Sequence, residues 1–196
     1  MAMRKVILAM QVTLDGFVAG PKGELDWLAD DEEQGKDLFR MLRSADTFLL
    51  GRAMYPGYAK YWRSVLANPA AKKGELKFAR IAEKTPHIVF SRTMKKADWK
   101  NTRIERRGAS EAIRRLKQRA GKNMVVWGGA RFASSLIGLG LVDEYRLLVN
   151  PVILGKGKPL FRSMNERRRI KLVDAKKFRS GIVLLRYKAL KKPRKE

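Results

Sequence analysis

The chain has no cysteine and a single histidine, His87. The first absence excludes disulfides, thiolate nucleophiles and cysteine-held zinc or iron–sulfur centres, and it makes the cytoplasm the default compartment. The second removes any multi-histidine site, so no resident metal is expected. His87 opens a β-like run inside "TPHIVFSRT" and reads as structural rather than catalytic. No apolar run approaches the roughly 18 residues that cross a bilayer, so no membrane partner is expected. The start, "MAMRKVILAMQVTLDGFVAG", is interrupted by Gln11, Thr13 and Asp15 too early for a signal peptide and reads as a first strand.

Acidic residues are also scarce, 19 Asp and Glu against 44 Lys and Arg, for a net charge of +25. The imbalance is C-terminal: residues 101–196 hold 26 basic and 7 acidic side chains, residues 1–100 hold 18 and 12. The excess collects in "RRLKQRAGK", "NERRRIK" and the tail "KKPRKE". Such a field attracts phosphates of any kind, from a dinucleotide to a nucleic acid, and does not choose between them.

What is present is a globular composition, 45% hydrophobic and 9% aromatic, in a chain of 196 residues. That length suits one domain over 1–190, followed by a basic tail over 191–196. Arg4–Val12 is an apolar, β-rich run of the kind buried on both faces. "LDGFVAGPKGELDW" is a glycine-punctuated loop, and Asp30 and Asp31 stand where they cap a helix over about 32–44. "DTFLLG" is a second buried strand, "RAMYPGYAKYW" an irregular aromatic segment, and Lys73–Lys84 a helix before the strand "PHIVFS". A short strand near "NTRIERR", a helix from about Ser110 to Ala120, the strand "NMVVWG", a helix from about Ala130 to Gly138 and the strand "DEYRLLVN" follow. After the long "PVILGKGKPLF" loop, two β-like runs flank Ser180–Gly181 as a hairpin. Strand–helix alternation requires crossovers. The fold class is therefore α/β, in three layers: a mainly parallel central sheet flanked by helices, with an antiparallel C-terminal edge hairpin.

In such sheets ligands bind beyond the carboxyl ends of the strands. "WGGARF" stands there and opens a helix, where free N–H groups and the helix dipole favour an anion. Gly128 and Gly129 let a pyrophosphate approach the main chain, or else they only allow a tight strand-to-helix turn. Gly51–Arg52 and Ser91–Arg92–Thr93 stand at two other strand ends, and together the three resemble a grip on a dinucleotide. Neither G-x-G-x-x-G after the first strand nor G-x-x-x-x-G-K-[ST] occurs, which disfavours an ordinary Rossmann domain or P-loop ATPase. Tyr55, Tyr58, Tyr61 and Trp62 either offer a face to a flat ring or pack as core or dimer interface.

The ordered set "MQVTLDGFVAGPKGELDWL", "LLGRAMY", "VFSRTM" and "VVWGGARFASSLIGLGLVDEYRLLVNPVILGKGKPLF" resembles, over nearly the whole chain, dihydrofolate-reductase-like proteins related to the C-terminal reductase domain of bacterial riboflavin biosynthesis enzymes. The resemblance implies the dihydrofolate reductase fold, NADPH as cofactor and a homodimer. It places Gly51 and Arg52 near the adenosine phosphate, Ser91, Arg92 and Thr93 beside the 2′-phosphate, and Gly128, Gly129, Ala130, Arg131 and Phe132 in the pyrophosphate loop. Ala9 falls against the nicotinamide. Met54 departs from the threonine that the family often carries there. On the substrate side, Asp15 and Asp26 are the catalytic candidates, with Glu32 behind them, and Trp27, Asn150, Pro151, Leu154 and Gly155 are the pocket candidates. Asp15 has a second reading as the cap of the turn before Gly16. The carboxylate that dihydrofolate reductase carries on its first helix falls within "ADDEE". The expected activity is hydride transfer from NADPH to a small planar heterocycle, pterin-, pyrimidine- or ribosylaminopyrimidine-like. A nucleic-acid-binding protein on a reductase-like scaffold and a cofactor binder without catalysis are the less favoured readings.

Overall fold

A computed structural model describes residues 3–162, 164 and 166–190, so the tail expected over 191–196 lies outside the described residues. In chain order the elements are β1 (Val6–Thr13), α1 (Glu32–Leu42), β2 (Ala45–Gly51), α2 (Tyr55–Ala67), α3 (Lys73–Lys84), β3 (His87–Phe90), β4 (Thr102–Glu105), α4 (Ala109–Gln118), β5 (Asn123–Gly128), α5 (Ala130–Gly138), β6 (Glu144–Asn150), β7 (Ile170–Lys177) and β8 (Val183–Ala189). All eight strands form one sheet in the order β4-β3-β2-β5-β1-β6-β8-β7. The first six are mutually parallel, whereas β8 runs antiparallel to β6 and β7 antiparallel to β8. This is the mainly parallel sheet with an antiparallel edge that the strand–helix alternation predicts.

The apolar runs explain the layers. Successive strand residues face opposite sides, so a strand apolar at every position needs cover on both. In β1, Val6, Leu8, Met10 and Val12 pack with α4 and α5 through Ile113, Leu116, Ala133 and Leu136. Ile7 and Ala9 face the other way, onto Met41 and Leu42 of α1, Tyr58 of α2 and Phe78 of α3. β5 splits in the same manner, Met124 and Val126 against Val125. Each Val, Leu, Ile, Phe or Met among them contributes about 1.5–3 kcal/mol by burial. At the amino ends of the strands, the buried Arg4 guanidinium ties three of them together, pairing with Asp46 and donating to Thr47 Oγ1 (2.8 Å) and the Lys122 carbonyl (2.6 Å).

Helix ends follow local chemistry. Asp31 caps α1 by accepting from the Gln34 N–H at 2.9 Å. Past α5, Gly140 takes a left-handed turn (φ +66°), the Leu141 N–H reaches the Leu136 carbonyl, and the chain is redirected into β6. The aromatic segment after Gly51 corrects the sequence expectation: it is not irregular but is helix α2. Pro56 stands in the first turn, where its missing N–H costs no hydrogen bond. Tyr55 and Tyr58 are buried, and Trp62 packs on Phe78 (4.3 Å between ring centres), so these rings belong to the core, and only Tyr61 is exposed.

Candidate active site

The parallel strands set the site. Where β2 and β5 end side by side, each chain turns into a helix, so the amino termini of α2 and α5 converge on one cavity of about 790 Å³. That volume is in the range of small-molecule and cofactor sites. Neither helix has a side-chain cap. The first-turn N–H groups have no partner within their own helix, and two dipoles present their positive ends to the same space. Arg52 and Arg131 add two guanidinium groups to the lining.

Three glycines make this convergence possible. A Cβ on Gly51 would lie 2.7 Å from Phe132 Cβ, and one on Gly128 would lie 2.7 Å from Met54 Sδ. Gly129, whose Cβ position is 3.4 Å from the Gly51 Cα, has φ +85°, and Gly128 has φ +141°. Both backbones are in the region that side chains avoid. The glycine pair thus lets α5 start directly against the end of β2. Phe132, held by stacking on Phe90 at 4.8 Å, closes the floor.

The cofactor candidates divide accordingly. Ala9, Gly51, Arg52, Met54, Gly128, Gly129, Ala130, Arg131 and Phe132 all line the cavity. Ser91, Arg92 and Thr93 stand outside the lining, at the end of β3. Thr93 reaches it through one contact, its hydroxyl accepting from Arg52 Nη1 at 3.0 Å. The loop is braced by Ser91 Oγ, which accepts from the Met94 N–H (2.9 Å), and by Arg106, which donates to the Arg92 and Met94 carbonyls.

The substrate-side candidates are not brought together in the cavity lining. Asp15 is outside the lining, and its carboxylate takes the Thr13 hydroxyl (2.5 Å) and the N–H groups of Gly155 (2.8 Å) and Leu154 (3.1 Å). The Thr13 hydroxyl, helped by those two N–H groups, holds the carboxyl below its ordinary range, which does not suit a group that must give up a proton near neutral pH. Asp26 is exposed and outside the lining, and Trp27 spends its indole N–H on the Glu24 carbonyl at 3.2 Å. Leu154 and Gly155 are tied to Asp15, and Pro151 is exposed beside Gly181. Asn150 is fully buried behind the cavity, donating to Gln11 Oε1 (2.8 Å) and the Leu148 carbonyl (3.1 Å) while accepting from the Ala29 N–H (3.2 Å). It orients Gln11, which does line the cavity.

The groups that face the far half of the cavity come from elsewhere. Gln34, Asp37, Leu38 and Met41 share one face of α1, and Arg146 and Leu148 come from β6. Asp37 is paired with Arg40 (2.8 Å) and its side chain is only 15% exposed. It lies one turn beyond "ADDEE", where the sequence placed the helix carboxylate. The i, i+3, i+4, i+7 spacing of 34, 37, 38 and 41 is the signal that identifies this face. Arg146 is neutralised by Glu144 at 2.7 Å. Leu25, Leu28, Val18 and Leu184 supply apolar wall, and Lys158 stands exposed in the lining.

A mainly parallel sheet ending in an antiparallel edge, with its cavity beyond the carboxyl ends of β1, β2 and β5, is a dihydrofolate-reductase-like α/β architecture. A dihydrofolate reductase from Enterococcus faecalis, complexed with NADP(H), superposes with a TM-score of 0.57 at 15% identity, covering 94% of this chain and 96% of that one. Within that class the chain belongs to the RibD C-terminal domain family, which it matches over residues 4–184. It is 36% identical over 184 residues to the uncharacterized protein YyaP of Bacillus subtilis (strain 168), spanning 94% of each chain. A putative riboflavin biosynthesis protein from Shewanella sp. PV-4 shares the fold with a TM-score of 0.75 at 16% identity, over 95% of this chain and 99% of that one. Among the described residues, no helix is long and apolar enough to cross a membrane, and no group of His, Asp and Glu has the make-up of a metal site.

Proposed function

We propose that the protein is an NADPH-dependent reductase of a small planar heterocycle, pterin-, pyrimidine- or ribosylaminopyrimidine-like. One observation carries the reading: a single cavity joins an anion seat at one end to a mostly apolar slot with a few placed polar groups at the other. The donor set fits a dinucleotide. Uncapped N–H groups of α2 and α5 take the pyrophosphate, and Arg52 and Arg131 balance its charge. Ser91, Arg92 and Thr93, reached through Arg52, take the 2′-phosphate. Ala9, small and on the floor, leaves room for a flat ring. NADPH, when bound, supplies the hydride. The chain's own part is to align the acceptor between Ala9 and α1, exclude water with the 18–28 wall, and hold the acceptor's polar edge with Gln11, Gln34 and Asp37. Asp37, nearly buried beside Arg40, is the carboxylate in the cavity lining and is placed to accept from an N–H on the acceptor's polar edge.

Trp127 lines the cavity, so NADPH titration is expected to quench tryptophan emission with energy transfer to the cofactor. Arg52→Gln is expected to weaken NADPH about tenfold, or about 1.4 kcal/mol, and a screen of pterins and pyrimidines to reveal cofactor oxidation. No spectral response at millimolar NADPH, or a response indifferent to both Arg52 and Arg131, would remove the proposal.

A further inference from the structure

A second cavity, of about 860 Å³, lies at the opposite end of the sheet. Its walls are the starts of β1 and β6, the end of β8 and residues 167–169. Strand direction brings these together: β1 and β6 are parallel, and antiparallel β8 sets Lys188 opposite Glu144. Both carboxylates here are already satisfied. Asp143 accepts from Lys117 Nζ (2.6 Å) and the Val6 N–H (2.7 Å), and Glu144 pairs with Arg146 (2.7 Å) and Arg186 (3.6 Å). Arg168 is a strut: Nη2 donates to the Gly138 carbonyl at 2.6 Å, and the guanidinium lies where a Cβ on Gly140 would come within 2.6 Å of Nη1. Its neighbours Arg167 and Arg169 are thereby presented to solvent on the cavity wall.

Four cations remain: Lys5, Arg167, Arg169 and Lys188, all exposed and, among the described residues, without a side-chain hydrogen bond or ion pair. We propose that this cleft binds the phosphate backbone of nucleic acid, independently of base sequence. A lone small anion gains little there, since an exposed ion pair is worth about 0–1 kcal/mol. A polymer that neutralises several cations at once gains counterion release at each contact, and those gains add. No aromatic side chain lines the cleft, so the contact is with backbone rather than stacked bases. The chain's charge is of matching sign, +25, and the sequence after Leu190 brings Lys191, Lys192, Arg194 and Lys195.

The test is binding of a fluorescent, random-sequence DNA duplex to the full chain across a salt series. The four cleft contacts predict a log–log slope of about −3.6 or steeper. Combined Lys5→Glu, Arg167→Glu, Arg169→Glu and Lys188→Glu is expected to lower affinity at least tenfold more than Lys60→Glu, Arg63→Glu, Lys73→Glu and Arg80→Glu, which changes net charge equally on α2 and α3. Should the glutamate set fail to fold, the same four positions changed to Gln are expected to flatten the slope by about 3 to 4. Equal losses from the two glutamate sets, or a slope unmoved by the Gln set, overturn the proposal. So does displacement of duplex by tripolyphosphate or polyglutamate as effectively, per charge, as by unlabelled duplex. Removal of residues 191–196 that abolishes binding while cleft substitutions leave it intact also overturns it. NADPH titration of the same variants is expected to match the parent, which keeps this outcome separate from the reductase reading.

Discussion

At the scale of the residue, His87 shows what burial does to a titratable group. It is 1% exposed, stacked on Trp99 at 5.0 Å between ring centres, met edge-on by Phe48 at 5.3 Å and hydrogen-bonded to the Tyr58 hydroxyl at 3.1 Å. Desolvation pushes its pKa down to about 4, against an ordinary value near 6.5. The folded protein therefore keeps His87 neutral where the unfolded chain takes up a proton. Its contribution is fully present above pH 6.5 and is lost as pH falls toward 4. The slope from this one group is at most about 1.4 kcal/mol per pH unit. Thermal unfolding is expected to show Tm level above neutrality and declining through that window, with His87→Phe flattening the decline. A wild-type profile with no decline between pH 6.5 and 4 contradicts this account.

At the scale of the element, α1 carries the cavity face of Gln34, Asp37, Leu38 and Met41, and its start is fixed by one side chain. Asp31 takes the Gln34 N–H with one oxygen (2.9 Å) and the Ser180 N–H of the β7–β8 turn with the other (3.0 Å). Asp31→Ala frees both the helix start and the hairpin. It is expected to lower Tm by about 2–4 °C and, under the proposed reductase function, to loosen the heterocycle more than NADPH, which is read by comparing their affinities. An unchanged Tm counts against the cap. Asp31 was visible in the sequence as a cap, as were the buried strands, because doubly covered β-rich runs and short polar side chains before helices are local signals. Helix α2 was not. Its aromatic residues and its Pro–Gly start read locally as a loop, and only packing of Tyr58 and Trp62 onto α3 and the sheet makes it helical. The half of the cavity at the ends of β2 and β5 was legible because glycines and arginines recur at successive strand ends. The far half of the cavity was not, since Asp37, Arg146 and Lys158 meet only through the crossover geometry.

At the scale of the whole molecule, the sheet begins and ends differently. One edge is β4, a short strand of four residues, whereas β7 at the other edge runs for eight, with Ile170, Leu172 and Val173 each 39% exposed or more. Such an edge invites pairing with another sheet. Two features oppose it: a register shift between Leu172 and Asp174 that bends the strand, and Lys171, Lys176 and Lys177 along it. The protection is thus partly electrostatic and subject to screening, whose range falls from about 10 Å at 0.1 M salt to about 3 Å at 1 M. Light scattering is expected to show self-association that grows with ionic strength and is suppressed by Val173→Lys. Scattering that falls as salt is added would contradict this. The colloidal behaviour of the protein, which conditions will keep it in solution and which will crowd it into aggregates, therefore turns in part on the lysines along β7.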